Sequence, residues 1–145
     1  MRNIIAKSRI VVISGQRSLV YLLFTVVFVS LHSFFLGFFI YFFTDLFYKL
    51  FFSQAVNNIF FVRQSGLFLM LSGLFYLFPL IDLRTNSKFI PLIIVSKCVA
   101  VIFLLTNARS TPQPTLLFLT ALGDGIMALL LGITYRNCRE GKCFD

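Results

Sequence analysis

An all-α membrane bundle of four transmembrane helices, with a short interfacial segment between the first and the second, is the fold class this chain predicts. Three observations lead there. Hydrophobic residues fill 59% of the 145 positions, charged residues only 12%, and mean hydropathy is +0.93, whereas an ordinary soluble domain is about a quarter charged. A chain of this length has no globular core able to hide so much apolar surface, twenty phenylalanines included. The apolar residues also collect in four runs near the roughly 20 residues that cross hydrocarbon at about 1.5 Å each. Strand-type alternation is absent from these runs, and backbone exposed to lipid must bond within its own segment, so each run is expected to be a helix.

Residues 1–18 form a basic cytoplasmic lead carrying Arg2, Lys7, Arg9 and Arg17, and the first span follows at about 19–43 (LVYLLFTVVFVSLHSFFLGFFIYFF). Basic residues before an apolar run also mark a secretory signal. This run is longer than the roughly 7–15 residues of a signal core and no small-x-small site follows it, so it reads as a retained span. The connection 44–63 is aromatic for a loop, with Phe47, Tyr48, Phe51 and Phe52 before a polar break and Ile59, Phe60 and Phe61 after it. It is either an interfacial cap on the mouth of the bundle or a set of aromatic anchors for the helix ends.

The second span, about 64–81, ends near Pro79, which kinks or stops a helix. A polar turn at 82–87 leads to the third span at about 89–105, where Pro91 falls in the first turn and its missing N–H does little harm. The loop 107–114 (NARSTPQP) precedes the fourth span at about 115–135, and 136–145 forms a basic tail. Nine basic residues lie on the side holding both termini and the 82–88 turn, against Lys49, Arg63 and Arg109 on the other. That asymmetry expects cytoplasmic termini, in a bacterial inner (plasma) membrane. The net charge of +8 is thereby a topology signal and an attraction to anionic lipid. Scattered over segments with no polar domain to present it, it does not point to nucleic acid.

Small residues mark packing faces. Ala121, Gly125, Ala128 and Gly132 recur at spacings of four, three and four, and Ser65–Gly66 recurs as Ser72–Gly73. Such faces allow close backbone approach, within the chain, in a homo-oligomer or against a membrane-complex partner.

Chemistry concentrates on two residues. Lys97 and Asp124 stand inside the third and fourth spans, where an ionised group costs about 2.5–3.5 kcal/mol on insertion scales. Lys97 is eight residues, about 12 Å, from the cytoplasmic end of its helix, and Asp124 is twelve residues, about 18 Å, before Arg136 on a helix running the other way. The difference is within a lysine's reach, so an inward ion pair is expected. It either fixes helix register or marks a ligand or proton path. His32 in the first span, Arg63 and Gln64 opening the second, and Tyr76 deeper in it complete a candidate ligand-binding set, pictured as a funnel floored by Lys97 and Asp124. His32 alone is more readily an interhelical hydrogen bond than a proton relay. No catalytic constellation and no metal-ligand cluster is legible. Cys98 reads as an apolar filler. Cys138 and Cys143 lack metal or CxxC spacing, and on a cytoplasmic side their disulfide is disfavoured.

RQSG at the start of the second span, GLFYLFPLID at its end, SK inside the third, a proline-bearing loop and LGDGIMALLLG in the fourth, together covering 63–135, resemble the small four-helix membrane proteins grouped as DoxX-like or BphX-like. The basic residue of the third helix is often arginine in that family, so Lys97 departs from it and a bidentate contact is lost. The resemblance implies a four-helix bundle linked to quinone-dependent redox or aromatic catabolism, with quinone as its cofactor; the residues alone show no cofactor. Three functions follow in order of expectation. The first is an accessory or binding subunit for a quinone-like, sterol-like or aromatic molecule, the second a proton-coupled small transporter component, and the third a membrane enzyme using Asp124 or His32 as acid or base. Four helices without an inverted repeat disfavour an independent transporter.

Overall fold

The computed structural model describes residues 2–52, 58–110, 112–141 and 143, and for 2–15 and 84 it describes the backbone alone. The described elements are α1 (Arg2–Phe42), α2 (Thr44–Phe52), α3 (Ile59–Phe75), a 3₁₀ turn (Phe78–Leu80), α4 (Leu83–Asn86), α5 (Phe89–Ala108) and α6 (Pro114–Glu140), with no strand among the described residues. Four segments are long and apolar enough to cross a membrane: Gln16–Phe42, Ile59–Leu80, Phe89–Ala108 and Pro114–Glu140. The protein is an all-α four-helix membrane bundle.

Local chemistry sets the element ends. Pro79 falls inside the 3₁₀ turn that follows α3, and the turn before α5 tightens into α4, where the Asp82 carboxylate accepts from the Thr85 hydroxyl at 2.7 Å. Thr44 bonds back to the Ile40 and Tyr41 carbonyls at 2.8 and 3.1 Å, satisfying the C-terminus of α1 as the chain bends into α2. Asp45 at the start of α2 and Lys49 at its end agree with the helix dipole, and its rings stack in pairs, Phe47 on Phe51 and Tyr48 on Phe52. The polar break 53–57 lies outside the described residues. Ile59, Phe60, Phe61 and Arg63, placed by sequence in the connection, form the first turns of α3.

Burial runs opposite to a soluble protein. Phe24, Phe35, Phe60, Phe61, Phe68, Phe75 and Phe103 face outward, while Thr25, Ser30, Ser33, Thr44, Lys97 and Asp124 are buried. Lipid is as apolar as phenylalanine, so nothing drives these rings inside, and polar groups share the interior with aliphatic side chains.

Three interfaces join the four helices: α1 with α3, α5 with α6, and α1 with α6. The α1–α3 contact rests on glycine. A Cβ on Gly37 would stand 2.6 Å from the Gly66 carbonyl oxygen, one on Gly66 would stand 2.9 Å from that of Gly37, and one on Gly73 would stand 2.9 Å from that of Ser30. Ser30 fastens the crossing by donating to the Gly73 carbonyl at 2.5 Å. The small stripe of α6 behaves differently. Ala121 and Ala128 are buried, but a Cβ on Gly132 would meet nothing within 4 Å and one on Gly125 only a Val101 methyl at 3.8 Å. The two glycines open onto a groove of about 540 Å³ between α5 and α6, instead of lying under a partner helix.

Below mid-depth the core is Leu22, Val26, Val29, Ile90, Ile93, Met127, Leu131 and Cys138, with Tyr76, Leu80 and Leu83 packed on it. The fourth side of the bundle, between α3 and α5, has no interface as extended as the other three.

Candidate functional site

The period that buries the core also places the charges. Along α6 the buried positions Leu117, Ala121, Asp124, Ala128, Leu131 and Cys138 follow an alternation of three and four, and Asp124 is one of them. Along α5, Ile90, Ile93, Lys97 and Ala108 fall on one such stripe. Both charges thus point inward because their helices do. Lys97 Nζ donates to Asp124 Oδ1 at 2.7 Å, and the two residues are 4% and 7% exposed. An ion pair so far from water keeps both charges only because each neutralises the other.

Two further polar groups stand next to each other on α1. His32 is close enough to feel both the Lys97 and the Asp124 charge. Its Nδ1 is buried without a hydrogen-bond partner, and so is the hydroxyl of Ser33, next in the chain and 0% exposed. Ser33 differs from the other buried serine and threonine hydroxyls among the described residues, which all have a partner. Thr25, Ser72, Thr106, Thr120 and Thr134 each donate to a carbonyl one turn back at 2.7–2.9 Å, satisfying themselves inside their own helix. A buried polar atom with no partner is destabilising unless something bonds to it. Helix α1 thus carries two buried polar atoms with bonding capacity left over, and one of them, on His32, lies near the pair.

Tyr76 stands at the end of α3, where its hydroxyl and the Ser96 Oγ lie 2.6 Å apart. That bond bridges the weak side of the bundle, and Ser96 precedes Lys97. Around it, Ser72, Phe75, Phe78, Phe89, Leu92 and Ile93 line a cleft of about 440 Å³ open to the lipid side.

Arg63 and Gln64 are not brought to the pair. They line a separate crevice with Tyr41, Ile59, Phe60, Leu67 and Phe68 at the N-terminal end of α3. Gly73 packs at the level of Ser30 and Phe34, so Gln64, nine residues earlier, stands roughly 13 Å further out. The expected funnel divides into an outer crevice and a mid-depth polar cluster. Among the described residues no group of three His, Cys, Asp or Glu side chains is placed to hold a metal.

Ser30 and Gly37 carry no signal that sequence reasoning used, whereas Ser33, beside the candidate His32, shares the buried period of Leu22, Val26, Val29 and Ile40. Cys98 proves to be exposed on the wall of the α5–α6 groove instead of filling the interior. Cys138 and Cys143, expected to stay apart, are paired as a disulfide with their Cα atoms 5.2 Å apart. The chain matches no protein-family model, no curated protein and no solved structure.

Proposed function

We propose that this protein is an inner-membrane binding or accessory subunit, both termini cytoplasmic, that takes a lipophilic small molecule from the bilayer through the α3–α5 side. One observation carries the reading: an aromatic-walled cleft facing lipid ends at the Tyr76–Ser96 hydroxyls, directly before the buried Lys97. The rings fit a flat apolar body. The Tyr76 and Ser96 hydroxyls on that lining fit an oxygen on its polar end. A quinone, a sterol-like compound or a simple aromatic meets both conditions, and the DoxX-like resemblance favours the quinone.

The test is extraction of the full chain in native-lipid discs, followed by mass spectrometry of the bound lipophiles. One compound is expected at near-stoichiometric amount from the native chain, and at least tenfold less from the Lys97→Met, Asp124→Leu double variant. Only bulk membrane lipid in both samples sinks the reading.

The buried unpartnered Nδ1 of His32 near two charges favours a second reading, a proton-coupled transporter component. Proton-driven uptake by reconstituted vesicles that His32→Gln abolishes would select it over simple binding.

A further inference from the structure

The disulfide at the end of α6 joins nothing that the fold needs joined. Cys138 and Cys143 are five residues apart in sequence, and the Cys143 N–H already donates to the Cys138 carbonyl at 3.0 Å, closing the turn without the sulfurs. A loop this short gives a crosslink its smallest entropic effect on the unfolded chain. Cys138 is 0% exposed within the apolar core, where a free thiol packs as well as a bridged sulfur. Structural stapling therefore accounts poorly for the pair.

Its position accounts for it better. Cys143 is only partly buried, and Arg139 and Lys142 stand near it in sequence, with Arg136 paired to Glu140 at 2.7 Å, on the end carrying most of the basic charge. One sulfur is sheltered and one is reachable, beneath a field that draws small anions. With the proposed orientation, this end meets a reducing compartment, where disulfides are usually transient and redox-sensing.

We infer that Cys138 and Cys143 form a reversible dithiol–disulfide site that exchanges with an anionic low-molecular-weight thiol of the glutathione type. In reduction the incoming thiolate attacks Cys143 Sγ, the S–S bond breaks, and Cys138 Sγ leaves with the electron pair and takes a proton. A second thiol then attacks the mixed disulfide, freeing Cys143 as a thiol and releasing the oxidised small-molecule disulfide. Two small thiols are oxidised, and one protein disulfide is reduced. Oxidation is the reverse, with the small disulfide as oxidant. The bundle stays folded in both states, and what changes is whether the basic tail is tied to the end of α6.

The experiment uses the full chain carrying Cys98→Ser, reconstituted in lipid discs and equilibrated against graded ratios of reduced to oxidised glutathione. Free thiols are trapped by a mass-tagged maleimide under mild denaturation. The expected result is zero tags at the oxidising end and two at the reducing end, appearing together at one midpoint, with helix content unchanged. Added Cys138→Ser should leave Cys143 taking a glutathione adduct, and added Cys143→Ser should leave Cys138 resisting one. Two tags at every ratio overturn the inference, because then no pair forms. Zero tags at every ratio also overturn it, because the bridge is then permanent. Disulfide-linked dimers in place of the internal bridge overturn it as well.

Discussion

At the scale of single residues, the ion pair separates stability from function. Asp124→Asn leaves Lys97 Nζ without its counter-charge at a position 4% exposed. Removing one partner of a buried pair typically destabilises by about 3–5 kcal/mol. Replacing both with apolar side chains of similar size is often neutral. Thermal unfolding in detergent should therefore show Asp124→Asn well below the native chain and Lys97→Met, Asp124→Leu close to it. If the double variant is as unstable as the single, the pair is a structural necessity and loses its standing as a binding site. Ser30→Ala should cost about 1 kcal/mol, the worth of its bond to Gly73, in the same measurement. Lys97 and Asp124 were legible in sequence because a charge inside an apolar run needs a partner, and helix rise gave their relative depth. Arg63 and Gln64 were legible as residues opening the second span, but a polar residue at a helix mouth does not tell how far the mouth is from the centre. The Cys138–Cys143 contact was illegible, since it depends on how the chain turns after α6.

At the scale of elements, glycine position distinguishes a real interface from an open groove. The backbone atoms that would crowd a Cβ on Gly37 or Gly66 belong to the facing helix and cannot rotate away. Gly37→Ala and Gly66→Ala should each force α1 and α3 apart and destabilise by about 1–3 kcal/mol, the range for overpacking. Gly132→Ala meets nothing, so it should be neutral, or stabilising by up to about 1 kcal/mol through helix propensity. Denaturant unfolding of the three variants side by side checks this. Equal losses at Gly66 and Gly132 would mean that the α6 groove is occupied in the membrane, for instance by a second copy. The repeat of Ser65–Gly66 as Ser72–Gly73 marked the α3 face in sequence without naming the helix it meets, which is α1. The α6 stripe looked equally good, but a stripe shows only that a close approach is possible. Ala121 and Ala128 lie on the buried period of Asp124, while Gly125 and Gly132 lie one residue beyond it.

At the scale of the whole molecule, the bundle is two helix pairs joined along α1–α6, and its α3–α5 side is held at the Tyr76–Ser96 bond and the turn above α5. Such a shape opens sideways into lipid. If that opening is the entry route, filling it must block occupancy without touching the polar cluster. Leu92 is 63% exposed and lines the cleft, so Leu92→Trp adds a ring there while leaving Tyr76, Ser96, Lys97 and Asp124 in place. Gly132→Leu adds comparable bulk to the α5–α6 groove, which has no polar end and is the proper control. Retention of the co-purified lipophile should fall at least tenfold in Leu92→Trp and stay near native in Gly132→Leu, with unfolding temperatures little changed in both. Tenfold corresponds to about 1.4 kcal/mol of binding, a modest demand on a blocked pocket. Equal retention in the two variants would close the α3–α5 route and leave the polar cluster reachable only from the outer end, past Arg63 and Gln64. Loss in Gly132→Leu alone would move the binding site to the all-apolar groove, where neither Lys97 nor Asp124 would have a ligand to meet.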